Sequence, residues 1–349
     1  MYAVSSHIPD MLARVDYVRR SPAHFGGPAG HKEWLHFCVL GPDLDLLVNF
    51  SFCDDVRPDC ARHDEVARVI VLARHGGWDG DVDAFASDDV RVGHAGVDVA
   101  LGENRLELRD GTYHLRLRLR ERPIAAELVL HPLVEPARAP NIPLRDGPPL
   151  HWVVTPRLVA TGRVTIGKRT IRLSNTLAYH DHNFGHFRWG QDFSWRWAFA
   201  LPDDGAVPWT LAFATLATRA RNHALSQGVF VWRGARLCRT FRDGDITIES
   251  SRTFLALPRV FKIPRVMALL SPDVPTDVPQ SVRLHAEAEG DRVDYEFTPD
   301  DVGQVVIPNE TDLGVTVLNE ATGRSSIHGE IRGERFAADG RSVFEFLGG

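Results

Sequence analysis

Tyr113-His114-Leu115-Arg116-Leu117-Arg118-Leu119-Arg120 alternates apolar and polar residues with hardly a break. Successive side chains of an extended chain point to opposite faces, so Leu115, Leu117 and Leu119 share one face and the arginines the other. The run reads as an antiparallel strand with one face in a core and one in water. The same logic predicts strands over 282–288 and 292–297 joined by a tight Glu289-Gly290-Asp291 turn, and a second hairpin, 229–232 with 236–240, around Gly234. Helical signal is confined to 9–20 and 266–270. Six prolines from Pro132 to Pro149 predict a long loop or strap crossing the outside of a sheet, because proline cannot donate to a ladder. The fold class is all-β, with many short strands building a sandwich or barrel.

A chain of 349 residues favours two domains or one large β architecture. Its 44% apolar and 25% charged residues are those of a globular protein. The net charge of -6 is spread over intermixed signs, so no basic stripe is available to a phosphate backbone and nucleic acid is excluded as a partner. The N-terminal stretch lacks a continuous apolar core, and no later run approaches the roughly 20 apolar residues that span a bilayer, which predicts a cytoplasmic protein. Cys38, Cys53, Cys60 and Cys238 form no CxxC pair and are expected as free thiols, with a Cys53–Cys60 disulfide the alternative in an oxidising compartment.

The densest set of catalytic residue types runs from Tyr179 to Leu201, YHDHNFGHFRWGQDFSWRWAFAL. With a strand over 173–181, Tyr179 and Asp181 share one face and His180 and His182 the other. The first face suits acid chemistry. The second suits a metal, with His186 beyond a turn at Gly185 as a third ligand. Further on, Phe193, Trp195, Trp197 and Phe199 share a face of a second strand, flanked by Trp189 and Trp209. Such a stripe is either plain core or a ring-lined wall suited to a cationic intermediate. Glu33, before an apolar strand, reads as a buried carboxylate able to pair with Arg188 or Arg196.

Four stretches resemble the lipocalin-like carotenoid 1,2-hydratase superfamily, which includes hydroxyneurosporene synthases, AttH-type proteins and natural-product cyclases and pericyclases. HKEWLHF (31–37) is similar to its Glu-Trp-Trp-Tyr-Phe opening, and AYHDHNFGH (178–186) to its Tyr-x-Asp-His-x-Trp-Gly signature. The glycine-punctuated pair GRVTIGKRTIRLSNTLAY precedes that signature, and HGEIRGERF with VFEFLGG resembles the closing strands. Phe184 stands in place of the signature tryptophan, and Leu35 and His36 in place of the second tryptophan and the tyrosine of the opening.

The resemblance implies two antiparallel β domains of lipocalin-like barrel or sandwich form, expected over 24–200 and 201–349. It puts the catalytic aspartate on Asp181, its tyrosine on Tyr179, and the upstream histidine and tryptophan of the hydratase pattern on His151 and Trp152. The expected reaction is acid-initiated hydration or cyclisation of an apolar isoprenoid or polyene. Asp181 donates the proton, Tyr179 orients it, and His151 or His182 positions water. Trp34, Trp152, Phe184, Trp189, Phe193, Trp195 and Trp197 form the expected substrate-binding set. No cofactor and no metal are expected, and loose association with a membrane surface would let the protein collect an apolar substrate. The alternatives are a cofactor-free pericyclase acting through aromatic shape and a non-catalytic lipid or pigment carrier.

Overall fold

The computed structural model describes residues 7–19, 30–54, 65–93, 95–144, 147–189, 192–257, 260–270 and 277–348. Strand accounts for 69% of the chain and helix for 6%, so the class is all-β. By its internal contacts the chain divides into two units, Met1–Ile142 with Gly147–Phe187, and Pro143–Asp146 with Arg188–Gly349. The boundary expected at 200/201 falls inside the strand Ser194–Pro202.

The first unit opens with α1 (Ile8–Val15), which carries Pro9 in its first turn and buries Ile8 and Leu12. Its strands are β1 (His31–Leu40), β2 (Asp45–Asp54), β3 (Ala67–Arg74), β4 (Trp78–Phe85), β5 (Val90–Gly93) and β6 (Asp98–Leu101). They continue as β7 (Asn104–Arg109), β8 (Thr112–Arg118), β9 (Ile124–Pro132), β10 (Ala137–Leu144), β11 (Gly147–Ile166) and β12 (Arg169–His186). The sheet order is β4-β3-β2-β1-β12-β11-β9-β8-β7-β6-β5, with β10 pairing β11. The sheet curls strongly: Phe37 on β1 meets Tyr113 on β8 edge-on at 5.3 Å although three strands separate them in the order. Where β4 approaches the β8–β9 turn, the Arg120 N–H donates to Asp83 (2.8 Å) and Arg122 to Asp79 (2.9 Å), pinning the free edge.

The second unit comprises β13 (Ser194–Pro202), β14 (Trp209–Ala217), β15 (Ala224–Arg233), β16 (Arg236–Arg242), β17 (Ile246–Ser250) and β18 (Phe261–Ile263). After α2 (Arg265–Leu270) come β19 (Val282–Ala288), β20 (Asp291–Pro308), β21 (Val315–Ile331) and β22 (Glu334–Gly348). The order is β16-β15-β14-β13-β22-β21-β20-β19-β17, with β18 pairing β20 in parallel. This sheet also wraps around its core, since Phe213 on β14 reaches Tyr295 on β20 at 5.3 Å.

The alternating run is β8, with Tyr113, Leu115 and Leu117 buried and His114, Arg116 and Arg118 exposed. Both expected hairpins form. Glu289 (φ 56°) and Gly290 (φ 85°) turn β19 into β20, and Gly234 (φ 60°) sits between β15 and β16. The proline-rich stretch departs from expectation. It contains β10, paired to β11 off the main order of the sheet, where prolines are tolerated because their missing N–H costs no ladder bond. The expected turn at Gly185 is also absent, for β12 runs straight on to His186. Cys38, Cys53 and Cys238 are in no disulfide, and Cys60 lies outside the described residues.

Candidate active site

β12 is the central strand of the site, with β1 on one side and β11 on the other. His36 lies opposite Asp181 and Cys38 opposite Tyr179 in the β1 ladder, while Trp152 on β11 lies opposite Asn183. Residues paired in an antiparallel ladder share a face, so these six side chains lie on one side of the sheet.

Three donors converge on the buried Asp181 carboxyl. The Tyr179 hydroxyl (2.9 Å) and the Trp152 indole N–H (3.0 Å) both donate to Oδ2, and the Asn183 side-chain N–H donates to Oδ1 (3.1 Å). A carboxyl so held is fixed in orientation by tyrosine, tryptophan and asparagine at once. Trp34, opposite Asn183, adds ring surface to this face and packs its edge against Phe187 at 5.9 Å.

The other face of β12 carries a separate network. His182, wholly buried, sits between two carboxylates, with Nδ1 2.6 Å from Asp16 and Nε2 2.7 Å from Glu33. Burial by itself would lower the His182 pKa, but the hydrogen bonds and charges of Asp16 and Glu33 outweigh it and raise the value to about 9. His182 is therefore an imidazolium. Burial likewise opposes charge on Asp16, yet His180 and His182 hold its carboxyl far below the usual range. Glu33 is lowered for the same reasons, receiving His182, His31 (3.1 Å) and the Arg19 backbone N–H (2.9 Å). The Tyr113 hydroxyl also donates to Asp16, and His180 bridges Asp16 (3.0 Å) and the His36 carbonyl (2.9 Å). All four ring nitrogens of His180 and His182 are thus engaged by protein oxygen, so neither imidazole turns a lone pair toward a metal.

The expected site residues are therefore divided between two faces of the first unit's sheet and the second unit. Asp181, Tyr179, Trp152 and Trp34 lie together on one face. His151, His182 and Phe184 lie on the opposite face, so neither histidine reaches the Asp181 side to position water there. His151 stacks on Phe184 at 4.7 Å, and burial, with Arg19 and Arg138, lowers its pKa. Trp189, Phe193, Trp195 and Trp197 belong to the second unit, where Trp189 and Phe193 each contact Trp195 at 5.5 Å and Trp197 contacts Phe199 at 5.4 Å.

Glu33 pairs with histidines rather than with Arg188, whose partner is Asp192 (2.7 Å). Sequence reading missed Asp16 and Glu345. Asp16 follows α1 and lies 166 residues from His182, so its only trace is a pair of same-face histidines in need of an anion. Glu345, on β22, accepts the Trp195 indole N–H within the second unit, and burial raises its pKa.

No protein-family model and no curated protein matches the sequence. Solved structures do. A protein assigned to AttH from Nitrosomonas europaea matches 96% of this chain and 99% of its own, with 15% identity and a TM-score of 0.60. CghA with Sch210972 matches over 95% of this chain and 94% of its own at 11% identity, TM-score 0.63. Kievitone hydratase from Nectria haematococca covers 95% of each chain at 11% identity, TM-score 0.58. The chain shares their fold. This lipocalin-like architecture extends over nearly the whole length of each partner, so the resemblance read from the 178–186 signature holds for the fold of the whole chain.

Proposed function

We propose that the chain is a hydratase- or cyclase-type enzyme that transfers a proton from Asp181 to the double bond of an apolar isoprenoid or polyene. The observation that carries this reading is the convergence of three side-chain donors on one buried carboxyl. Donating a proton to carbon requires the acid form. That form fits the same shell: Oδ2–H turns toward the Tyr179 oxygen, the phenol proton rotates away, and Trp152 and Asn183 continue to donate. The shell therefore serves the carboxyl before and after transfer and needs little reorganisation. Trp34 and Trp152 add ring surface on the same face, and a cation over such a face gains about 0.5–2 kcal/mol. The fold is also that of a kievitone hydratase, a protein named for adding water to a small molecule.

The test is incubation with a panel of isoprenoid alkenes and prenylated phenols in ¹⁸O-water, read by mass spectrometry for one added water. Asp181→Asn keeps the size and the hydrogen bonds from Trp152 and Tyr179 but cannot give a proton. Turnover is expected to fall by about 10²–10⁴-fold with unchanged thermal unfolding. An active Asp181→Asn protein rejects this acid and leaves a reaction steered by shape, and recovery of every compound unchanged from the wild type points to a carrier.

A further inference from the structure

We propose that His285, Asp294 and His328 form a binding site for a divalent metal ion of the zinc type on the second unit. The three stand side by side on neighbouring strands: His285 of β19 lies opposite Asp294 of β20, and Asp294 lies opposite His328 of β21. Directly opposed residues share a face with Cβ atoms about 4.5–5.5 Å apart, so the row presents imidazole, carboxylate and imidazole to one side of the sheet. That side is open to water, with the His285, Asp294 and His328 side chains 48%, 32% and 64% exposed. The site is independent of the reaction proposed for Asp181.

Both rings turn to the carboxylate between them. His285 Nδ1 is 2.7 Å from Asp294 Oδ1, and His328 Nε2 is 3.3 Å from Asp294 Oδ2. With strands about 4.7–4.9 Å apart, the two histidines stand astride the carboxylate, within reach of one ion above it. Ligand atoms bonded tetrahedrally to zinc at about 2.0–2.1 Å lie about 3.3–3.4 Å from each other. The His328–Asp294 pair has that spacing, and a small turn of the exposed His285 ring gives it to the other pair. His285 also has an outer partner, with Nε2 3.3 Å from Glu287. A metal-bound histidine ordinarily donates its second N–H to such a carboxylate, which fixes the ring and its tautomer. The row, with Thr247 and Arg283, lines a groove of about 390 Å³, which leaves space for water on the ion.

Two imidazoles and one carboxylate suit Zn²⁺, Ni²⁺ or Cu²⁺, whereas Mg²⁺ and Ca²⁺ favour sets made of oxygen alone. An ion bound here joins β19, β20 and β21 and stabilises the second unit by mass action. Binding sends the His285 Nδ1 proton to solvent, while Nε2–H stays on Glu287. On that face His285 meets Arg283 and Glu287 of its own strand, Glu249 from β17, and Arg292, Asp294 and Glu296 from β20. Arg283 is held by Glu296 at 3.0 Å. The hydrogen bond to Asp294, and with it Glu287, raises the His285 pKa, so protons compete with the metal and affinity falls in acid.

The test uses the full chain, stripped of metal by a chelator and titrated with ZnCl₂ in a calorimeter, with MgCl₂ in parallel. The wild type is expected to bind Zn²⁺ at pH 7, to unfold at a higher temperature when loaded, and to lose both effects at pH 5. Glu287→Gln is expected to weaken the binding by about 10–100-fold, and His285→Gln, His328→Gln or Asp294→Asn by at least as much. Unfolding of each variant without metal verifies that the fold is kept. A second measurement needs no variant: Zn²⁺ should protect His285 and His328 from diethylpyrocarbonate, mapped by peptide mass spectrometry. Equal Zn²⁺ affinity in the wild type and a His285→Gln/His328→Gln double variant overturns the site. Equal effects of Mg²⁺ and Zn²⁺, or unprotected His285 and His328 in loaded protein, overturn it as well.

Discussion

Asp181 and His182 are neighbours in sequence, yet one carboxyl is wrapped by neutral donors and one imidazole is clamped between carboxylates. The second arrangement predicts stability. His182→Gln leaves Asp16 and Glu33 buried without their shared cation, a loss that typically costs about 3–5 kcal/mol and is measurable by urea unfolding. The same residue sets a pH dependence. Its folded pKa of about 9 exceeds the ordinary 6.5, so its contribution is complete below pH 6.5 and disappears as pH rises through 9. On the acid side, the lowered carboxyls of Asp16 and Glu33 contribute above the ordinary carboxylate values and lose that contribution as pH falls through their folded values. The melting temperature should therefore drop between pH 6.5 and 9.5 in the wild type, and much less in His182→Gln.

At the level of elements, β11 shows how backbone geometry secures the site. Gly162 (φ 143°) borders a register shift in the β11–β12 ladder and lies opposite Leu128 of β9, where a Cβ would clash with the Glu127 carbonyl oxygen. Gly162→Ala should destabilise the first unit by more than about 1 kcal/mol, read by thermal unfolding. The elements easiest to read from sequence were those whose signals are local. The alternation of β8 and the turns at Gly234 and Gly290 depend on residues within a few positions of each other. β10 was not legible, because proline is disfavoured inside a sheet and accepted at a position off the main strand order, and strand order is not a local property. The two faces of β12 were legible from parity alone. What covers each face was not, since the partners of His182 come from Asp16 and Glu33, 166 and 149 residues away.

At the scale of the molecule, each unit joins distant parts of its chain in mid-sheet: β1 pairs β12, and β13 pairs β22. The second unit is therefore incomplete until its last strand arrives. A stop after Gly333 removes β22, leaving β13 and β21 with unpaired edges, and calorimetry should show the second unit's unfolding enthalpy lost. Such distant pairing also predicts refolding on a scale of about milliseconds to seconds, by stopped-flow fluorescence. The aromatic run at 189–197 begins eight residues after Asp181, and its strand belongs to the second unit.

Strand β12 has a consequence for any saturation scan of residues 179 to 183. Tolerance should oscillate with a beat of two: odd-numbered substitutions would yield well-behaved but inert proteins, and even-numbered ones would yield proteins that fail to accumulate. A one-residue insertion there would swap these two classes of damage, exposing the charged cluster where the chemistry should be and producing both phenotypes at once.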